Sequence, residues 1–163
     1  MVLDWFLEGS LMTADVMHSA VESRPIVVGV DGSDASLDAL RWADQQARVT
    51  GNTLHVITTW EFPSSYGYAV VWSGEVSLED DARRTLKESI EKVIDAGSRE
   101  SVMITSVIEG HPGPVLCKAS TTASLLVVGS RGHGEFAGML LGSVSEFLTT
   151  HSECPVVIVR YGR

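Results

Sequence analysis

The sequence predicts an α/β fold: a single open, doubly wound sheet of five parallel strands with helices on both faces, Rossmann-like in plan. Three observations predict it. Short β-branched runs alternate with amphipathic stretches in the order β-α-β-α-β-α-β-α-β, which favours parallel strands joined by right-handed crossovers. A glycine-dense loop follows the fourth run, at the strand-to-helix junction where such folds hold phosphate. The length of 163 residues suffices for one domain with a proper core.

Residues 1–24 lie ahead of the first convincing strand. Trp5, Phe6, Leu7, Leu11 and Met12 are apolar, and Met12 and Met17 are plausible internal starts. An amphipathic helix, a partner-docking tail and residues from an upstream start codon all fit. The segment is read as a weakly ordered extension of a domain at 25–163.

Regularity begins at Pro25. Residues 26–30, Ile-Val-Val-Gly-Val, form a strand buried on both faces. The turn 31–34 offers Ser33 and Asp34 as helix caps, and Leu37, Leu40, Ala43 and Ala47 mark a helical stripe ending near Gly51. A second strand spans 54–59. The connection 61–74 is long and aromatic, with Phe62, Tyr66, Tyr68 and Trp72, and loops of that length are commonly functional. A helix at 78–96 follows, with Ala82, Leu86, Ile90 and Val93 on one face, Ser77 and Asp80 as its capping box and Gly97 as its stop. The third strand is 102–108. Residues 110–114, Gly-His-Pro-Gly-Pro, turn the chain into a short helix through Ala119. The fourth strand is 125–128, the last helix 143–151, and the fifth strand 155–159.

Composition narrows the function. A formal charge of −9 argues against nonspecific nucleic-acid or anionic-membrane binding, which needs basic surface. No apolar run reaches the length of a membrane span, and Met1 to Glu8 lack the cations of a signal peptide. Cys117 and Cys154 lack metal-type spacing and read as reduced thiols of a cytoplasmic protein. An anionic ligand must then be held by local donors.

Those donors are concentrated in residues 129–143, which carry Gly129, Gly132, Gly134, Gly138 and Gly142 with Ser143 at the end. Glycines let backbone N–H groups approach an anion with no Cβ in the way. A helix opening at Ser143 adds unpaired N–H groups and a partial positive charge, and Ser143 and Ser145 add hydroxyls. Ser143 with Glu146 also spells the S-x-x-E capping box, which is compatible with binding. A Walker loop would place lysine next to its last glycine; here Val144 follows Ser143, and Arg131 is the strong cation nearby. The G-x-G-x-x-G dinucleotide fingerprint is absent too. Binding is better supported than turnover.

Asp31 ends the first strand at the carboxyl edge. It could accept from a ribose or help hold a magnesium–phosphate complex, or be a turn residue bonded to its own backbone beside Gly32 and Ser33. His55, inside a strand, reads as a packed residue; His133 could meet a phosphate or be solvated. His111 and His151 share no metal spacing, Trp42 and Trp60 read as packing residues, and no nucleophilic triad is present.

With both ends of the site in view, the chain resembles the universal stress protein family. The motif Gly-x2-Gly-x9-Gly-Ser is met by Gly129, Gly132, Gly142 and Ser143, beside the Val-Gly-Val-Asp-Gly-Ser start, the Leu54-His-Val56-Ile segment and the Cys-Pro-Val-Val-Ile-Val end. The resemblance covers about residues 25–160. It implies strand order 3-2-1-4-5, a homodimer often made by pairing the last strands, and ATP binding, with magnesium, where the full motif is kept. It places Asp31 near the ribose and phosphates and the Val56 backbone at adenine. Gly129, Gly132, Gly142, Ser143 and Ser145 then surround the phosphates.

Four functions follow as expectations. The chain is a nucleotide-binding regulatory module acting on an unknown protein partner, a slow ATPase or phosphate-transfer enzyme, a cyclic AMP-binding protein, or an ATP-independent scaffold. The intact loop without lysine favours the first.

Overall fold

Strand β1 (Ile26–Gly29) sends alternate side chains to opposite faces of a parallel sheet, and each face is covered by its own pair of helices. The computed structural model describes residues 24–62, 77–93, 102–133 and 140–160. In chain order β1 is followed by α1 (Asp34–Thr50), β2 (Leu54–Trp60), α2 (Leu78–Val93), β3 (Met103–Glu109) and α3 (Pro112–Ser120). The chain continues through β4 (Leu125–Gly129), α4 (Ser143–His151) and β5 (Val156–Val159). The five strands lie in the order β3-β2-β1-β4-β5 and every pairing is parallel. The expected topology is therefore present.

Two cores result from the pleat. Ile26 and Val28 point toward Leu40, Ala43 and Ala47 of α1 and Leu86 of α2, with Leu54, Val56 and Val127 completing the layer. Val27 points the other way, to Leu116 of α3 and Leu148 of α4, with Ile57, Leu126 and Val128. Trp42 packs against the first layer as a partly buried residue. Trp60 meets Phe62 edge to face, ring centroids 5.4 Å apart.

Local chemistry explains the helix ends. The Ser33 hydroxyl accepts from the Ser36 N–H at 3.3 Å and caps α1. Gly51 closes that helix at φ 73°, a left-handed conformation that would strain a side chain. Ser77 caps α2, accepting from the Asp80 N–H at 3.3 Å. His111 caps α3 through its ring nitrogen, and Pro112 follows at the first helical position. The expected end of the second helix at Ala96 and Gly97, the extension up to residue 23 and most of the aromatic connection lie outside the described residues. Strand ends differ from expectation by a single residue. Pro155, for example, precedes β5 because it has no N–H to give the ladder, although its carbonyl accepts from Leu126 at 3.0 Å.

His55 is half-buried, with Nε2 2.8 Å from the Ser106 hydroxyl. Burial holds its imidazole below the ordinary range. The unfolded chain therefore takes up the proton more readily, so stability from the neutral ring is present above about pH 6.5 and declines as pH falls below that. Urea melts of His55→Gln should show a flatter stability profile between about pH 7 and pH 5 than the parent. An unchanged slope overturns this account of the ring. Leu40 is 0% exposed and Val49 79%. Leu40→Ala should lower stability by about 2–5 kcal/mol and Val49→Ala by less than about 0.5, read as shifts in denaturant midpoint at constant slope.

Candidate functional site

The strand order reverses at β1: its crossover through α1 leads to β2 on one side, while β4 lies on the other. Crossovers leaving in opposite directions open a crevice at the carboxyl ends of β1 and β4, where open α/β sheets bind ligands. A cleft of about 420 Å³ occupies that place. Its walls include Asp31 after β1, Ile57 and Thr59 of β2, Leu116 of α3, Gly129 and Gly132 after β4, and Gly142, Ser143 and Ser145 at the start of α4. Six of the seven expected site residues thus come together from three distant segments. One end of the cleft is aliphatic and the other is a rim of backbone.

Two of the glycines are needed for closeness. A Cβ on Gly129 would lie 2.7 Å from the Ala35 carbonyl carbon, so this position brings the β4 end onto the first turn of α1. A Cβ on Gly132 would fall on the Asp31 carboxylate. Neither has a positive φ, unlike Gly32 at 86° beside Asp31. Gly142 is less crowded, its Cβ position 3.4 Å from the Arg131 Cα. What Gly142 contributes is its N–H, which donates to the Ser130 carbonyl at 2.8 Å.

The start of α4 departs from the expected capping box. Gly142, at φ −78° and ψ 164°, is the N-cap, and no side chain caps this end. Ser143 is the first helical residue, one position too late for its hydroxyl to close the S-x-x-E box. Ser145, 2% exposed, uses its hydroxyl inside the protein. That hydroxyl lies 3.0 Å from the Ser130 carbonyl and 2.9 Å from that of Gly142, sharing its proton between them. Ser145 braces the loop, and the exposed Ser143 keeps its hydroxyl on the cleft. An uncapped helix start presents unpaired N–H groups and a partial positive charge.

Asp31 combines both roles considered for it. Its Oδ1 accepts from the Ser33 N–H at 3.0 Å and the Ser33 hydroxyl at 2.6 Å, a turn built on its own neighbours. Its side chain is nevertheless exposed on the cleft, with Oδ2 toward Gly132. His133 Nε2 lies 2.8 Å from the Asp31 carbonyl and ties the glycine-rich loop to the β1 turn. Among the described residues no three His, Cys, Asp or Glu side chains gather as metal ligands.

Val56 is placed elsewhere. It is 0% exposed, pairs with Val28 on one side and Thr105 on the other, and does not line the cleft. Its strand neighbours Ile57 and Thr59 do. Those two, with Leu116 and Pro112, are lining residues the sequence reading missed, since β2 and the start of α3 meet at the cleft only through the fold. The remaining singled-out residues have structural partners. His151 stacks on Phe147 at 4.1 Å, and the Cys117 thiol donates to the His151 carbonyl at 3.0 Å. Both cysteines are free, and burial pushes the Cys154 thiol up, away from reactivity.

Known proteins share this fold. The model of the family described as "Universal stress protein family" matches residues 22–160. Universal stress protein Rv2623 of Mycobacterium tuberculosis is 33% identical over 153 residues, which cover 88% of this chain and 50% of that protein. The chain spans about half the length of the curated relatives it matches. A solved universal stress protein in complex with cAMP superposes with TM-score 0.64 at 28% identity, over 86% of this chain and 99% of that one. The universal stress protein of Archaeoglobus fulgidus in complex with dAMP gives TM-score 0.58 over 85% and 98% of the two chains; at 22% identity it shows the fold alone.

The glycines should therefore separate by stability. Gly129→Ala should cost about 1–3 kcal/mol in urea unfolding, because backbone atoms must move. Gly142→Ala should cost less than about 1 kcal/mol, since only its N-cap preference changes. Equal costs would show that the close approach to Ala35 is not the constraint.

Proposed function

The chain belongs to the universal stress protein family, and we propose that it is an ATP-binding regulatory module of that family, with little or no turnover. One observation carries this reading: the uncapped start of α4, faced by the glycine loop, offers an anion site built of backbone N–H groups with no lysine beside it. Such a site suits a phosphate chain and holds it by local dipoles, which an acidic protein of charge −9 requires. The resemblance in the motif and the solved relative named with cAMP support an adenine nucleotide.

In this reading the base lies against Ile57, Thr59 and Leu116 at the aliphatic end, in place of the Val56 backbone. The phosphates lie along Gly129, Gly132, Gly142 and Ser143, and Ser145 acts by positioning the loop. Asp31 takes the ribose side or a magnesium ion held mainly by phosphate oxygens, a donor set that fits magnesium's habit of keeping few protein carboxylates. Slow chemistry follows from what surrounds the phosphate end: no lysine is among the described residues that line the cleft. The edge strand β5, four β-branched residues with one sheet neighbour, supports the homodimer. Two free cysteines suit a cytoplasmic protein.

A second reading has its own support. Cyclic AMP needs the same base pocket and a single phosphate, and the relative solved with it matches along 86% of this chain. Competition settles the choice: failure of cyclic AMP to displace ATP rules it out.

Native mass spectrometry of freshly purified protein should give a dimer mass carrying ATP, and magnesium-dependent turnover should stay below about one per minute, against roughly 1–1000 per second for typical enzymes. Faster turnover abolished by Asp31→Ala would make the protein an enzyme. Failure of any nucleotide to bind would make it a scaffold.

A further inference from the structure

We propose that the phosphate chain of the bound nucleotide passes over Gly132 into a second cavity, where Arg131 and Arg160 take the outer phosphates and set a preference for nucleoside triphosphates. The inference rests on the nucleotide reading above and adds two specificity-determining residues to it.

The cavity, of about 600 Å³, adjoins the first cleft: Arg131, Gly132 and His133 form walls of both. Gly132 is thus the divide between them, its backbone on both cavities and the Asp31 carboxylate against one side of its Cα. Arg160 lines the second cavity alone. The sheet puts the two arginines together. Gly129 pairs with Val159, and the Ser130 N–H donates to the Val159 carbonyl at 2.7 Å, so the residues that follow, Arg131 and Arg160, leave adjacent strands side by side.

Their charges are uncommitted. Among the described residues Arg41, Arg48, Arg83 and Arg84 each pair with a carboxylate one turn away on their own helix, and Lys87 pairs with Glu91. Arg131 and Arg160, like Arg24, Lys92 and Lys118, form no ion pair among the described residues, and Asp34 shares their cavity wall. Both are exposed. In an acidic chain, two guanidinium-bearing residues on the wall of one cavity match phosphate oxygens, which arginine grips through paired N–H donors. A mononucleotide or a cyclic phosphate would end within the first cleft and leave them unused.

Calorimetric titration of the full chain with ATP, ADP, AMP and cyclic AMP tests this, using the parent, Arg160→Ala and Arg160→Lys. ATP should bind the parent at least about tenfold more tightly than AMP. Arg160→Ala should lose about tenfold for ATP while AMP and cyclic AMP change less than about twofold, and Arg160→Lys, which keeps the charge without the paired donors, should recover only part of the loss. Equal losses for all four ligands, or no loss for ATP, overturn the proposal while leaving the nucleotide site standing. If no nucleotide binds the parent, both readings fall. Arg160 is exposed at a strand end, so thermal melts of the variants should match the parent and exclude misfolding as the cause.

Discussion

The Ser130 peptide group is the tie on which the site depends. Its N–H donates to the Val159 carbonyl, continuing the sheet one step past β4, and its carbonyl accepts from the Gly142 N–H and the Ser145 hydroxyl. One residue therefore joins β5, the returning end of the glycine-rich loop and the first turn of α4. Ser130 is buried, so these bonds form away from competing water. Gly129, immediately before it, lets the tie be drawn against α1. Loosening this node would move the α4 N–H groups, the loop and the Arg160 stem together.

Much of the fold was legible because its signals are local. β-branched runs, serine caps and Gly51 at the end of α1 need no tertiary knowledge, and the structure follows them closely. The glycine spacing was legible for a different reason: only close backbone approach asks for glycine at both 129 and 132. The start of α4 at Ser143 was legible but its cap was not: the S-x-x-E motif is local, whereas Gly142 is the N-cap and the Ser145 hydroxyl is tied to the distant Ser130 carbonyl. Val56 and Ile57 differ by one position along β2, and register alone decides which of them faces the cleft. Arg160 was illegible for the same reason, since its neighbourhood with Arg131 exists only through β4–β5 pairing.

Charge distribution separates surface from site. Helix α2 carries Glu79, Asp80 and Asp81 in its first turn, where they complement the helix dipole, and its arginines answer those carboxylates along the same face. Such exposed pairs contribute little to stability, but they neutralise cations that would otherwise be free. At the carboxyl ends of β4 and β5, Arg131 and Arg160 line one cavity beside the uncapped start of α4 and add positive charge there. An acidic protein can thus repel nucleic acids broadly and still attract a small anion at one point.

The bond from His133 to the Asp31 carbonyl has a thermodynamic meaning beyond geometry. Together with the Ser33 contacts on the Asp31 carboxylate, it fixes the described ends of two loops against each other. The ordering entropy of those residues is spent in folding, not in binding. A ligand that contacts these residues meets groups the fold has already held in place, and its residence time then depends on the contacts it makes and breaks with them.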